Sequence, residues 1–209
     1  MHFHFYLHQL WKRAAFLCAL SCLGFSATAQ FHITPNGVAC TTDSTGYYNI
    51  SAPKLTAEQL YNSVTRYFLS YFSPRDVSAN GQPYETLIVS LRVRDAFVCR
   101  SVLWNPLYAD AEVSLPFRFK NGKMRIDPPY VNGLYYRETD NKNSSYSHME
   151  RLYVVAPDWV TQLSNICMYS HKGKPASERS IKNFDNWLNR LVNRVATYVQ
   201  HEGGTGTNW

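Results

Sequence analysis

Arg92, Arg94, Arg100, Arg118, Lys120, Lys123 and Arg125 are the residues of this 209-residue chain whose types and spacing could do chemistry together. Leu87, Val89, Leu91 and Val93 alternate with Ile88, Ser90, Arg92 and Arg94, and Phe117, Phe119, Met124 and Ile126 alternate with Arg118, Lys120, Lys123 and Arg125. Successive side chains of a strand point to opposite faces, so this pattern sends the apolar set to a core and the cations to the other side. Arg100 joins the row if a three-residue turn at Asp95-Ala96 aligns Cys99, Ser101 and Leu103 with the apolar face. Val102 and Trp104 then fall among the cations, with Glu112 and Asp127 as the few acids. Guanidinium groups are planar forks matched to phosphate and carboxylate, so the expected chemistry is recognition of an anion, with Trp104 as a stacking surface. The plainer alternative is a solvated sheet face, common on one side of an antiparallel sheet, whose cations discourage edge pairing.

Other chemistry has less support. No H-E-x-x-H, G-x-x-x-x-G-K-[ST] or G-x-S-x-G pattern occurs. His32, His148, His171 and His201 fall in segments that read as loop or tail, where a histidine is more often solvated than a general base. Asp110 and Glu112 could be imagined as paired carboxylates, but an i, i+2 pair at a turn-to-strand junction is ordinary surface. Cys167-x-x-x-His171 offers two metal ligands where a structural zinc needs four. Cys40, Cys99 and Cys167 allow one disulfide with a thiol left over, and read best as buried or edge thiols. No catalytic residue, metal or cofactor is expected.

Lys12 and Arg13 precede an apolar run from Ala14 to Phe25 and the small residues Ala27 and Ala29. That is the layout of a secretory signal peptide cut after Ala29. The run is shorter than the ~20 residues of a membrane-spanning helix, and no second long apolar run follows, so the mature chain is expected to lack a transmembrane span. The full chain carries 21 Lys and Arg against 15 Asp and Glu, and losing residues 1–29 removes two cations and no acid, which leaves +4. The expected location is periplasmic or extracellular. Asn49-Ile50-Ser51 and Asn143-Ser144-Ser145 are sequons, and Asp43-Ser44-Thr45 looks like a short O-glycosylation motif.

The elements that must position the cations are readable in part. Aromatic residues are 15% of the chain, which favours a strand-rich fold. Gly46–Ser51 reads as a first strand. Thr56 and Gln59 form a capping box with a Leu55–Leu60 staple, and Leu60, Val64, Phe68 and Tyr71 define a helix over 57–72 that ends before Pro74. A meander follows: 87–94, then 97–104, then a hairpin of 112–119 and 123–127 joined by Asn121-Gly122 in a type I′ turn. Residues 128–149 read as an irregular excursion, 152–156 as a strand and 158–169 as helical. A long helix capped at Ser177 or Ser180 runs to about Gln200, carrying Ile181, Phe184, Leu188, Leu191, Val195 and Tyr198 on one stripe.

The order of these elements is one basis for a resemblance. The others are Leu55-Thr56-Ala57-Glu58-Gln59-Leu60-Tyr61 and Phe117-Arg118-Phe119-Lys120-Asn121-Gly122-Lys123-Met124-Arg125-Ile126. The chain resembles a family of exported Bacteroidetes proteins carrying a domain of unknown function, numbered 4468, with a TATA-binding-protein-like (TBP-like) fold. The likeness covers about 46–135 and the helix 176–200. It implies an α+β fold in which helices pack on one face of an antiparallel sheet and leave the other face open. It implies no activity and carries over no functional residues.

The expected organisation is therefore a signal peptide (1–29), a single α+β domain (30–200) and a loose tail (201–209). The expected function is an exported, non-enzymatic binding or assembly domain of the cell envelope. Its partner would be an anionic envelope component or an acidic protein segment, since an exported protein rarely meets nucleic acid. The rival is a small secreted hydrolase of glycans or peptides, with a pocket in 128–170 beside Tyr135, Tyr136 and Tyr153.

Overall fold

The computed structural model describes residues 31–41, 46–102, 105–139, 147–159 and 166–202. The signal-like segment, Asp43-Ser44-Thr45, Trp104 and the Asn143 sequon lie outside them. The fold is α+β. Its main sheet is antiparallel, in the order β3 (Tyr48–Ser51), β7 (Lys123–Ile126), β6 (Asn105–Lys120), β5 (Thr86–Val102) and β4 (Val77–Asn80). Two more strands, β8 (Tyr130–Thr139) and β9 (Ser147–Arg151), extend from β6. The sheet forks along β6, whose residues 117–120 pair with β7 while 109–114 pair with β8. At the fork the Asp127 amide donates to the carbonyl of Pro116.

Two helices cover one face. The first, α1 (Ala57–Tyr71), starts at the capping box, where Gln59 N donates to Thr56 Oγ1 and Thr56 N donates to Gln59 Oε1. It buries Leu60, Ser63, Val64, Tyr67 and Phe68, with the Phe68 ring edge-on to Phe117 at 6.0 Å. Tyr71, expected on that stripe, is 65% exposed, because the 60-64-68 row turns the buried stripe toward Tyr67 instead. The second helix, α2 (Glu178–Glu202), buries Ile181, Phe184, Leu188, Leu191 and Val195 as the periodicity predicts. Its start is held by Ser177, whose Oγ accepts from Ser180 N. Tyr67 meets Tyr198 where the helices touch. Among the described residues no helix is long and apolar enough to cross a membrane.

The structure differs from the sequence expectations in several places. There is no turn at Asp95-Ala96. Asp95 takes φ +49°, its amide donates to Asp110 Oδ1 at 3.0 Å, and a register shift between Val93 and Phe97 absorbs the irregularity within one strand of 17 residues. Phe97, expected in a loop, is 4% exposed and packs on Phe184 and Trp187.

Residues 128–149 are not an irregular excursion, because β8 and the first part of β9 fall there. The Asn132-Gly133 pair that suggested a turn makes a bulge: Gly133 pairs Glu112, Val131 pairs Val113, and Asn132 is the extra residue, donating through Nδ2 to Ser114 Oγ. A Cβ on Gly133 would sit 2.7 Å from the far end of the Tyr135 side chain, so any other residue there requires that ring to move. The expected helix over 158–169 ends instead in a strand. β10 (Tyr153–Val155) pairs in parallel with β11 (Cys167–Tyr169).

The Asn121-Gly122 turn is not type I′, which needs positive φ at both central residues. Gly122 has φ +79°, and Asn121 does not have positive φ. Tertiary contacts account for the change. Asn121 Oδ1 accepts from Ala57 N at the start of α1, and the Gly122 amide donates to Leu55 O.

An N-terminal hairpin that periodicity did not suggest, β1 (Phe31–Thr34) and β2 (Gly37–Cys40), docks on α2. Asn189 holds the Phe31 backbone at both its N–H (2.7 Å) and its C=O (2.8 Å). Of the described cysteines, Cys99 and Cys167 are buried and Cys40 is half-buried.

Candidate anion-binding site

Helices on one face leave the other face of the sheet uncovered, and strand parity places Arg118, Lys120, Lys123 and Arg125 on it. Hairpin register fixes their neighbours. Arg118 lies directly opposite Arg125, and Lys120 directly opposite Lys123. Directly opposed residues have Cβ atoms about 5 Å apart, and residues two along a strand are about 7 Å apart, so four cations are rooted on a small rectangle. Like charges in such pairs destabilise a sheet.

Asp127 relieves one pair. Its Oδ2 accepts from Arg118 Nε at 2.9 Å, and its Oδ1 lies 3.0 Å from Arg125 Nε. Among the described residues no ion pair relieves the two lysines. Strand β3 adds the wall: Asn49 pairs Arg125, Ser51 pairs Lys123, and the Arg125 guanidinium stacks on the Tyr47 ring at 4.5 Å. Together Tyr47, Asn49, Arg118, Lys120, Lys123, Met124 and Arg125 line a shallow concavity of about 250 Å³. Arg118 is held at Nε by a hydrogen bond and Arg125 by the ion pair and the Tyr47 ring, which leaves outer guanidinium nitrogens to present donors outward.

The remaining expected site residues do not join this cluster. Arg92 is on the same face but pairs Glu112, with Arg92 Nε 3.7 Å from Glu112 Oε1. It lies six strand positions from the row of Arg118, roughly 20 Å away. Arg94 is exposed beside the Asp95 bulge. At that end of the face the cations are interleaved with acids, Asp95 and Glu112 among them.

Arg100 leaves the row altogether. Register shifts on both sides of Val98 set Arg100 opposite Leu107, which packs on the core, and its guanidinium lies 5.3 Å from the centre of the buried Tyr136 ring. The Tyr136 hydroxyl donates to Glu150 Oε2 at 2.6 Å. Trp104 is outside the described residues.

Asp127 shares parity with Arg125 and was legible as an acid of that face. Tyr47 and Asn49 escaped the sequence reading because they depend on the β3–β7 pairing, which joins residues more than 70 positions apart in sequence.

A second polar cluster was also missed. Asp185 of α2 accepts from Ile33 N at 2.8 Å and meets His32 Nδ1, beside a recess lined by Tyr169, Glu178 and Lys182. Burial raises the Asp185 carboxyl above its ordinary range, against the opposing pull of the Ile33 amide and His32. Both carboxylate oxygens are thus engaged in docking β1. Among the described residues no group of three or more His, Cys, Asp or Glu could hold a metal ion.

No family model matches the chain, and no curated protein matches it in sequence. Two solved structures are similar in fold. One is a TBP-like protein from Parabacteroides distasonis ATCC 8503, with a TM-score of 0.48 and 9% identity, over 74% of this chain and 90% of that one. The other is a DUF4468 family protein from Bacteroides ovatus ATCC 8483, with a TM-score of 0.44 and 8% identity, over 78% of this chain and 87% of that one.

Proposed function

We propose that the chain is an exported cell-envelope protein that binds an anionic component through the cations at the β6–β7 end of its open sheet face. One observation carries the reading: Arg118 opposes Arg125 and Lys120 opposes Lys123 around one concavity. Asp127 relieves the arginine pair, and the opposed lysines cost stability unless something anionic bridges them. The arrangement has the character of a binding site because its groups donate hydrogen bonds and attract negative charge.

Export rests on Lys12 and Arg13, the short apolar run and the small residues before Gln30. Intact mass from the native host should start the mature chain at Gln30, and retention of residues 1–29 would remove the envelope from the proposal.

Binding is tested by retention on sulfated or carboxylated polysaccharide and on anionic vesicles, comparing wild type with Lys120→Ala, Lys123→Ala, Arg125→Ala. Wild type should be retained at low salt and released as salt rises, because exposed charges are screened within ~8 Å at physiological ionic strength. The variant should pass through. Equal retention of both proteins, or none of wild type at low salt, returns these cations to a solvated surface.

A further inference from the structure

We propose that the concavity between β3, β6 and β7 is built for a single phosphomonoester group, as the specific form of the anion-binding role on which this inference rests. Three features select that chemistry. First, the charge is concentrated. The four cations stand on a rectangle of about 5 by 7 Å, and Arg92, roughly 20 Å away on the same face, is paired with Glu112. A polymer with widely spaced carboxylates would set one charge on this rectangle and leave the rest of its length over neutral or acidic surface. A tetrahedral dianion brings three oxygens and two charges to one point.

Second, the donors are preset. Arg118 donates through Nε to Asp127, and Arg125 is ion-paired with the same carboxylate with its guanidinium over the Tyr47 ring, so both guanidiniums are positioned before any ligand arrives. Preset forks suit the bidentate geometry of phosphate. Lys120 and Lys123 add two mobile ammonium groups, neither with an ion-pair partner among the described residues.

Third, the formal charges match. Four cations less the Asp127 carboxylate leave +3, enough to favour a dianion over a monoanion. The concavity, about 250 Å³, has room for the group and the first atoms of what carries it. The carrier is either a soluble or glycan-borne phosphate or a lipid headgroup, since both present the same terminal group.

The dianion gives the test its signature. No histidine lines the concavity, so across about pH 5 to 7.5 the group that titrates is the ligand, whose second pKa is near 6. Binding of glycerol phosphate, measured by calorimetry on the mature chain, should strengthen by about tenfold over that range, following the dianion fraction. Methyl sulfate, a monoanion throughout, should bind more weakly and without that pH dependence.

Lys120→Gln, Lys123→Gln should lose the pH-dependent component, while Arg190→Ala on the distant helix α2 should keep it. Thermal melting of each variant guards against loss of fold, and the lysine variant is expected to melt no lower than wild type. Vesicles containing phosphatidic acid, set against vesicles with equal charge from phosphatidylglycerol, identify the carrier. Selective binding to phosphatidic acid assigns a lipid headgroup, and equal binding with glycerol phosphate still bound assigns a soluble or glycan-borne phosphate.

Glycerol phosphate bound no better than methyl sulfate, or bound with a flat pH profile, overturns the phosphomonoester. If acidic polysaccharide or vesicles still depend on these lysines in that case, the broader anion-binding role stands and only its specific form falls. If no anion binds at low salt, both fall.

Discussion

At the β6–β7 end of the open face, the pairing of β6 with β7 runs without a register shift, and all four cations lie where alternation sends them. At the opposite end, β5 takes two register shifts within eight residues, between Val93 and Phe97 and between Val98 and Arg100. The consequences follow the parity. A one-residue slip moves a side chain to the other face of a sheet. The first shift takes up two extra β5 residues, so Phe97 keeps the parity of Val93 and enters the core, whereas the second takes up one and turns Arg100 toward Tyr136 instead of toward solvent. The two ends share a sheet, an alternating sequence and a supply of arginine, yet one gathers cations and the other disperses them. Alternation therefore predicts a face only as far as the ladder is unbroken.

The largest effect that separates the two ends lies at Phe97. If Asp95-Ala96 were a turn with Phe97 in the loop, Phe97→Ala would leave stability nearly unchanged. The bulged strand instead buries the ring against Phe184 and Trp187. Chemical denaturation should show a loss of about 3–5 kcal/mol, comparable to that of Phe117→Ala at the regular end. A loss below about 1 kcal/mol would restore the turn, since loops tolerate such truncation.

What holds the bulged end is helix α2. The Ser180 hydroxyl donates to the Cys99 carbonyl, and Asn183 Nδ2 donates to the Val98 carbonyl at 2.8 Å. These carbonyls belong to a stretch of β5 beyond its pairing with β4. Ser180→Ala and Asn183→Ala should each cost about 1–2 kcal/mol, because a buried carbonyl loses its donor. Hydrogen exchange should then quicken in 97–102 and stay slow in 117–126. Equal quickening at both ends would mean that α2 supports the sheet as a whole and not the bulge.

Part of this was legible beforehand. Both helices, the capping box and the hairpin register could be read from spacing because each depends on residues close in sequence. Strand β8 was hidden because Asn132-Gly133 has turn chemistry, and only the Ser114 hydroxyl across the sheet shows that the pair serves a bulge. The N-terminal hairpin was hidden for a similar reason. The partners of Phe31 and Ile33 are Asn189 and Asp185, more than 150 residues away. Of the site, the four cations were visible by parity, but Tyr47 and Asn49 needed the β3–β7 pairing.

A smaller effect follows from Cys99, which is the extra residue at the second register shift. Burial pushes its thiol above the ordinary value, and the sulfur donates to the Leu107 carbonyl at 3.3 Å. A folded-state value above the unfolded one means that the native protein holds the proton longer. The associated stability is full below the unfolded value, near pH 8.5, and is lost as pH rises through the folded one. Melting temperature should therefore fall as pH climbs past about 8.5, and less so in Cys99→Ala. In native protein at pH 8, alkylation should reach Cys40 before Cys99 or Cys167, because burial raises both of the latter thiols. Rapid modification of Cys99 would show that the bulged end opens on the timescale of the reaction.

The smallest effect is a difference in sign. Lys123 faces Lys120 across the regular hairpin, whereas Arg92 faces Glu112 near the bulge. Removing one charge from the first pair relieves repulsion, and removing one from the second loses attraction. Lys123→Gln should stabilise the protein by about 0.2–0.5 kcal/mol, and Arg92→Gln should destabilise it by a similar amount, as expected for exposed cross-strand pairs. Both differences should shrink between 0.1 and 1 M salt, as the screening length falls from about 10 Å to about 3 Å. Phosphate added at constant ionic strength should raise the melting temperature of wild type more than that of Lys123→Gln, because a ligand of the native state stabilises in proportion to its occupancy. Arg92→Gln should respond to phosphate as wild type does. If Lys123→Gln instead destabilises the hairpin at low salt, the two lysines are not in repulsive contact, and the case for an anion bridging them loses its physical basis.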